Sequence, residues 1–125
     1  MIVKPSPVTL LHLQAYLFIA LADIDDNATE DEFDLLIRKI KERVSPNPDT
    51  ATQIMNEAFE WYLEARTAET IPDQINEHQE LLEELDEKEK KTMLRDLEEI
   101  AAVDGAINDA EKRFLQAMAV MLELG

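Results

Sequence analysis

Apolar residues recur three and four positions apart from one end of the chain to the other, and no segment alternates apolar with polar as a strand does. That spacing predicts helices throughout. The first covers about Thr9 to Ala22 and is apolar on most of its sides, which suits a helix at the centre of a bundle. The second follows Thr29, with Phe33, Leu36, Ile37, Ile40 and Val44 on its inner face. "SPNP" at 45–48 stops it, because Pro46 and Pro48 cannot continue the backbone bonding. The third covers about Asp49 to Thr67, with Ile54, Ala58, Trp61 and Ala65 inward. Pro72 opens a fourth, whose thin stripe is Ile75, Leu82 and Leu85. Asp86, with Glu89 in the reciprocal position, caps a fifth that turns Met93, Leu94, Leu97, Ile100 and Ala101 inward. Gly105 suits the end of that helix. Asn108 caps a sixth with Phe114, Leu115, Met118, Met121 and Leu122 as its core face. The expected fold is all-α, one compact bundle of six or seven helices spanning residues 1–125.

Composition agrees: two glycines and five prolines in 125 residues leave good helix formers in the majority. Twelve basic against 28 acidic residues give a net charge of −16, which repels phosphate backbones and anionic lipid. Nucleic acid and direct membrane insertion are therefore poor expectations, and a cation or a basic protein surface is a better one. With no cysteine, Cys-ligated zinc and thiolate chemistry are excluded. The apolar run from Val8 to Ala22 superficially resembles a secretion signal, but His12 and Gln14 interrupt it, and it is too short to span a bilayer. His12 and His78 lack metal-ligand spacing and read as structural or solvated. Trp61 and Tyr62 read as packing residues.

"DIDDNATEDEFD" at 23–34 begins as a calcium loop does, with Asp23, Asp25 and Asn27 alternating. The rest does not follow. Ala28 stands where the sharp turn needs Gly, Asp34 where a bidentate Glu belongs, and Glu30 at a position that is usually apolar. A different pattern emerges when residues 24–37 are set beside 103–116, an offset of 79. Asp25 pairs with Asp104, Glu32 with Glu111 and Leu36 with Leu115. Each copy reads as helix, acidic loop, helix.

This pattern resembles the TerB-like family, named for tellurite resistance proteins. "AAVDGAINDAE" at 101–111 carries the resemblance most closely: Ala, then Asp-Gly, an apolar Ile107, and Glu seven after the Asp. "ALADIDDNATEDE" at 20–32 follows it with Asp26 in place of Gly and Ala28 in place of the larger apolar residue. The resemblance implies two helix–loop–helix halves related by a pseudo-twofold axis. It also implies a bacterial, cytoplasmic role in tellurite or stress resistance, or in mediating interactions, with no catalytic activity.

The carboxylates then have two readings. Thr29 with Glu32, and Asn108 with Glu111, are spaced as capping boxes, which accounts for both Glu residues without a ligand. Asp25 and Asp104 lie near the ends of helices, where negative charge is mildly unfavourable, so a turn role is the structural answer. The functional answer is a cation site: twofold-related loops would gather Asp25, Glu32, Asp104 and Glu111, with Asp23, Asp26 and Asp109 around them, into an oxygen-rich patch suited to calcium or magnesium. The capping reading is preferred. The expected function is a non-catalytic interaction module with a partner of basic surface. A divalent-cation module whose acidic loops control docking comes second, and a small helical hydrolase third.

Overall fold

The computed structural model describes residues 9–23, 30–43, 48–102, 107 and 109–122, with the side chains of 30–33, 43, 48, 49 and 51 excepted. Seven helices are described: α1 (Leu10–Ala22), α2 (Glu30–Arg43), α3 (Pro48–Thr67), α4 (Ile71–Glu77), α5 (Gln79–Glu83), α6 (Glu87–Ala102) and α7 (Asp109–Met121). No strand occurs among the described residues. None of these helices is long and apolar enough to cross a membrane.

The order follows from α1, in which every residue from His12 to Ala22 is buried. A helix with no polar face must be enclosed. α3 lies along it most extensively, and α2, α6 and α5 cover its other sides. α7 packs chiefly on α6. The inner stripes of α3 and α6 follow the predicted spacing: Ile54, Ala58, Trp61 and Ala65, then Met93, Leu97, Ile100 and Ala101, with Leu94 only partly buried at the edge. Trp61 is fully buried. Its indole N–H donates to Gln74 Oε1 at 3.1 Å, and its ring lies 4.2 Å from that of Tyr16.

The polar exceptions on α1 are satisfied locally. Thr9 caps the helix with His12 as its reciprocal partner, a box closed by a histidine instead of the usual Glu or Gln. The Thr9 N–H donates to His12 Nδ1 at 3.2 Å. That leaves Nε2, 2.8 Å from Glu57 Oε2, as the donor to α3. Donation from Gln53 and His12 holds the Glu57 carboxyl below its usual range. At the start of α6, the Glu89 N–H donates to Asp86 Oδ1 at 2.7 Å and the Asp86 N–H to Glu89 Oε1 at 3.3 Å, as expected.

Three expectations need correction. The single helix expected from Pro72 to Leu85 is broken at His78. The His78 ring, held edge-on 5.2 Å from Trp61, places Nδ1 3.0 Å from the Gln74 carbonyl. That carbonyl is the one a continuous helix would offer to the His78 N–H, which turns to Ile75 instead. Ile37 is 36% exposed, because Leu36 and Ile40 take the core face of α2. Phe114, Leu115 and Met121 are only partly buried against the core, and α7 is anchored by Met118 and Leu122. Val44, Gly105 and Asn108 lie outside the described residues, as does the Phe33 side chain.

The end of α3 carries backbone strain. Glu69 has φ 58°, in the left-handed region that favours glycine. Its N–H bonds to Arg66 O at 3.1 Å and the Thr70 N–H to Ala65 O at 2.8 Å, which together form a Schellman cap. Glu69→Gly should raise stability by about 0.5–1 kcal/mol, the left-handed penalty less the added entropy of an unfolded glycine. Urea unfolding checks this, and a loss of stability would contradict the strain.

Candidate functional site

Two places on the framework collect polar groups, and they differ in character. The first is at the end of α1. Asp23 caps that helix, immediately before the acidic stretch. Its Oδ2 accepts from the Tyr62 hydroxyl at 2.8 Å and lies 2.9 Å from Arg66 Nη1. Tyr62 and Arg66 are one turn apart on α3, so a single helix face grips the carboxylate. The edge of Tyr62 meets Tyr16 at 5.7 Å, and the Tyr16 hydroxyl donates to Ile71 O at 3.4 Å. Burial, reinforced by the neighbouring Asp23, pushes the Tyr62 phenol well above the ordinary tyrosine range. Burial alone does the same to Tyr16.

Beside this node runs a groove of about 590 Å³. Ile71, Pro72 and Ile75 of α4 form one wall. Phe114, Met118 and Met121 of α7 form the other, and Ala20 of α1 also lines it.

The second place lies between α2 and α6. Lys39 Nζ is 3.1 Å from Asp96 Oδ1 and 2.8 Å from Glu99 Oε2. Lys39 is 8% exposed and Asp96 only 3%. Burial works against the ammonium, but hydrogen bonds to Glu99 and Asp96 outweigh it and hold the lysine above its usual range. Gln14, Thr92 and Arg95 line a polar depression beside this pair, about 680 Å³ in volume. The sequence reading missed the pair, although a signal exists. Lys39 sits in the stripe Leu36–Lys39–Ile40 and Asp96 in Met93–Asp96–Leu97, each a charge placed where the helix turns inward.

Of the carboxylates singled out in the sequence, Asp25, Asp26 and Asp104 lie outside the described residues, as do the caps Thr29 and Asn108. Glu32 is the third residue of α2, and its side chain is not described. Glu111 is the third residue of α7 and is 5% exposed, whereas Asp109, which opens α7, is exposed. Both helices thus begin at the same point of the 79-residue repeat, with Glu in the same register. Asp23 is the acidic-patch residue whose partners are visible, and they are Tyr62 and Arg66. Among the described residues, no three His, Asp or Glu side chains are grouped to hold a metal ion.

A family model described as tellurite resistance protein TerB matches residues 12–125. No curated protein and no solved structure matches the chain.

Two outcomes test the site. Lys39→Met should cost about 3–5 kcal/mol by leaving Asp96 buried without its cation, and adding Asp96→Leu should recover most of that loss. A double variant as unstable as the single one would show that the ion pair is not what matters. The second test is alkaline titration. Raised phenol pKa values make a contribution to stability that is full below the ordinary tyrosine range and drains as pH climbs towards the folded values. Tyr16 and Tyr62 are the chain's two tyrosines. Phenolate absorbance should therefore rise together with the loss of helical circular dichroism, not ahead of it.

Proposed function

The chain belongs to the tellurite resistance protein TerB family, and from that premise we propose that it is a non-catalytic interaction module serving tellurite or stress resistance inside the cell. The observation that carries this reading is the family match over nearly the whole chain, on an all-helical frame with a net charge of −16. A large negative field speeds encounter with a basic protein and makes the complex salt-sensitive. Asp23 fits a module of this kind. Its carboxylate is held on α3 by Tyr62 and Arg66, which fixes the end of α1 from which the acidic stretch departs in sequence.

The second reading is a divalent-cation module, with calcium or magnesium on Asp25, Glu32, Asp104 and Glu111. It starts from one observation: Glu32 and Glu111 share the third position of helices that start in register across the repeat. Capping puts them at the same place, so the Glu positions alone cannot decide. Asp104 can. Asn keeps the turn hydrogen bonds of Asp and removes its charge.

The test measures melting temperature for wild type and Asp104→Asn, with and without millimolar calcium or magnesium. The interaction reading expects a small, ion-nonspecific rise in wild type that Asp104→Asn leaves intact. A large rise abolished by Asp104→Asn establishes the cation reading, because stabilisation by a bound ion follows mass action on the folded state.

A further inference from the structure

We propose that the polar depression between α1, α2 and α6 binds a free α-amino acid with an uncharged polar side chain. Arg95 and Lys88 take its carboxylate, Glu42 its ammonium, and Gln14 its side chain. This site goes beyond the interaction-module reading and does not depend on it.

Gln14 gives the first reason. It sits in a run of α1 that is buried from His12 to Ala22, and it is itself only 6% exposed. Leucine would fill such a position without placing a polar group there. Yet the Gln14 amide has no hydrogen-bond partner among the described residues. No sealed side-chain nitrogen or oxygen among them lacks one, so the amide stands open to the depression that Gln14 lines. It holds a donor and an acceptor at fixed places on the inner wall, where a ligand's amide or hydroxyl can use both.

The charges give the second reason. Asp96 is matched by Lys39. Asp86 and Glu89 each accept the other's backbone N–H in the cap of α6. Lys88 and Arg95 on α6, and Glu42 on α2, also line the depression, and among the described residues they have no partner. Thr92 lies one turn from each of the two cations, so all three share a helix face. A guanidinium takes a carboxylate through two parallel hydrogen bonds. Glu42, with the second oxygens of Asp86 and Glu89, suits an ammonium.

The field of the whole chain narrows the class. At a net charge of −16 a simple anion is repelled. A simple cation is drawn to carboxylates all over the surface, and here it meets Lys88 and Arg95. A zwitterion carries no net charge and matches both helices. The volume of about 680 Å³ falls among small-molecule sites, and Leu10, Leu11 and Leu85 offer contacts for carbon atoms.

The experiment titrates the full chain with L-glutamine and L-serine at millimolar concentration. Three further probes are N-acetyl-L-glutamine, which lacks the ammonium, L-glutaminamide, which lacks the carboxylate, and inorganic phosphate. Binding is followed by backbone amide NMR and calorimetry. At least one of the two amino acids should saturate and move the amides of Leu10–Gln14 and Lys88–Asp96. Each glutamine derivative should bind more weakly than glutamine by about tenfold or more, having lost one charged contact. Arg95→Gln should weaken binding by about tenfold. Arg113→Gln, exposed on α7 and outside the depression, should not. Gln14→Leu should remove binding while keeping or raising the melting temperature, because it replaces an unpartnered amide. A glutamine with a merely structural role would lower it.

The absence of a saturable shift with both amino acids overturns the site. Equal binding of either derivative also overturns it, by reducing recognition to one charge. Phosphate that reproduces the same shifts makes the depression an anion site and rejects the amino acid. Undiminished binding to Gln14→Leu and Arg95→Gln places the ligand elsewhere. Arg95 is exposed, so its variant keeps the test decisive even if Gln14→Leu fails to fold. None of these outcomes bears on the ion response of Asp104→Asn, which tests the interaction reading separately.

Discussion

Everything in this structure is arranged around the need to enclose α1. A helix with apolar side chains on every side has no stable surface position, so its neighbours must form a continuous jacket. α3 does most of this and is the longest helix described. The two polar residues inside the jacket show how strictly burial is managed. His12 spends one ring nitrogen on the helix cap and the other on Glu57. Gln14 opens onto the polar depression where Lys39 and Asp96 meet. No buried side-chain nitrogen or oxygen among the described residues lacks a hydrogen-bond partner, as a packed low-dielectric interior requires.

Electrostatics divides the molecule into an inside and an outside. Inside, Lys39 pairs with Asp96 and, at the margin, with Glu99, while the Arg66–Asp23 pair lies half-exposed at the surface. They join elements distant in sequence, α2 to α6 and the end of α1 to α3. The buried Lys39–Asp96 pair adds little net stability and is costly to break from one side. Outside, the excess of carboxylates sets a negative field that attracts cations and repels anions.

Most of the fold is readable from the sequence, because helix period and cap chemistry are local. The α1 boundary, the Asp86–Glu89 box and the stripes of α3 and α6 need no tertiary information. The errors occur where a distant group overrides local pattern. The break at His78 depends on Trp61 holding the imidazole so that it takes the Gln74 carbonyl, and nothing within residues 72–85 announces that. Ile37 lies on the edge of its stripe, and which edge is covered depends on the neighbouring helix. The candidate site is less legible. The repeat is visible as sequence and reappears as matching helix starts, but the partners of Asp23 are 39 and 43 residues away. The Lys39–Asp96 pair was detectable only as two charges misplaced in apolar stripes, and pairing them requires knowing that α2 lies on α6.

The enclosure of α1 also sets how the sequence can vary. A position packed on all sides accepts few replacements, since most changes open a cavity or force an overlap. α1 therefore concentrates the molecule's intolerance to substitution in the eleven consecutive residues from His12 to Ala22. The outer helices, each with one face on solvent, are left comparatively free. Their exposed positions can exchange charge and shape without disturbing what holds the bundle together. The constraint that holds the fold is thus concentrated in one stretch of the chain, and the outer surface can change while the fold is kept.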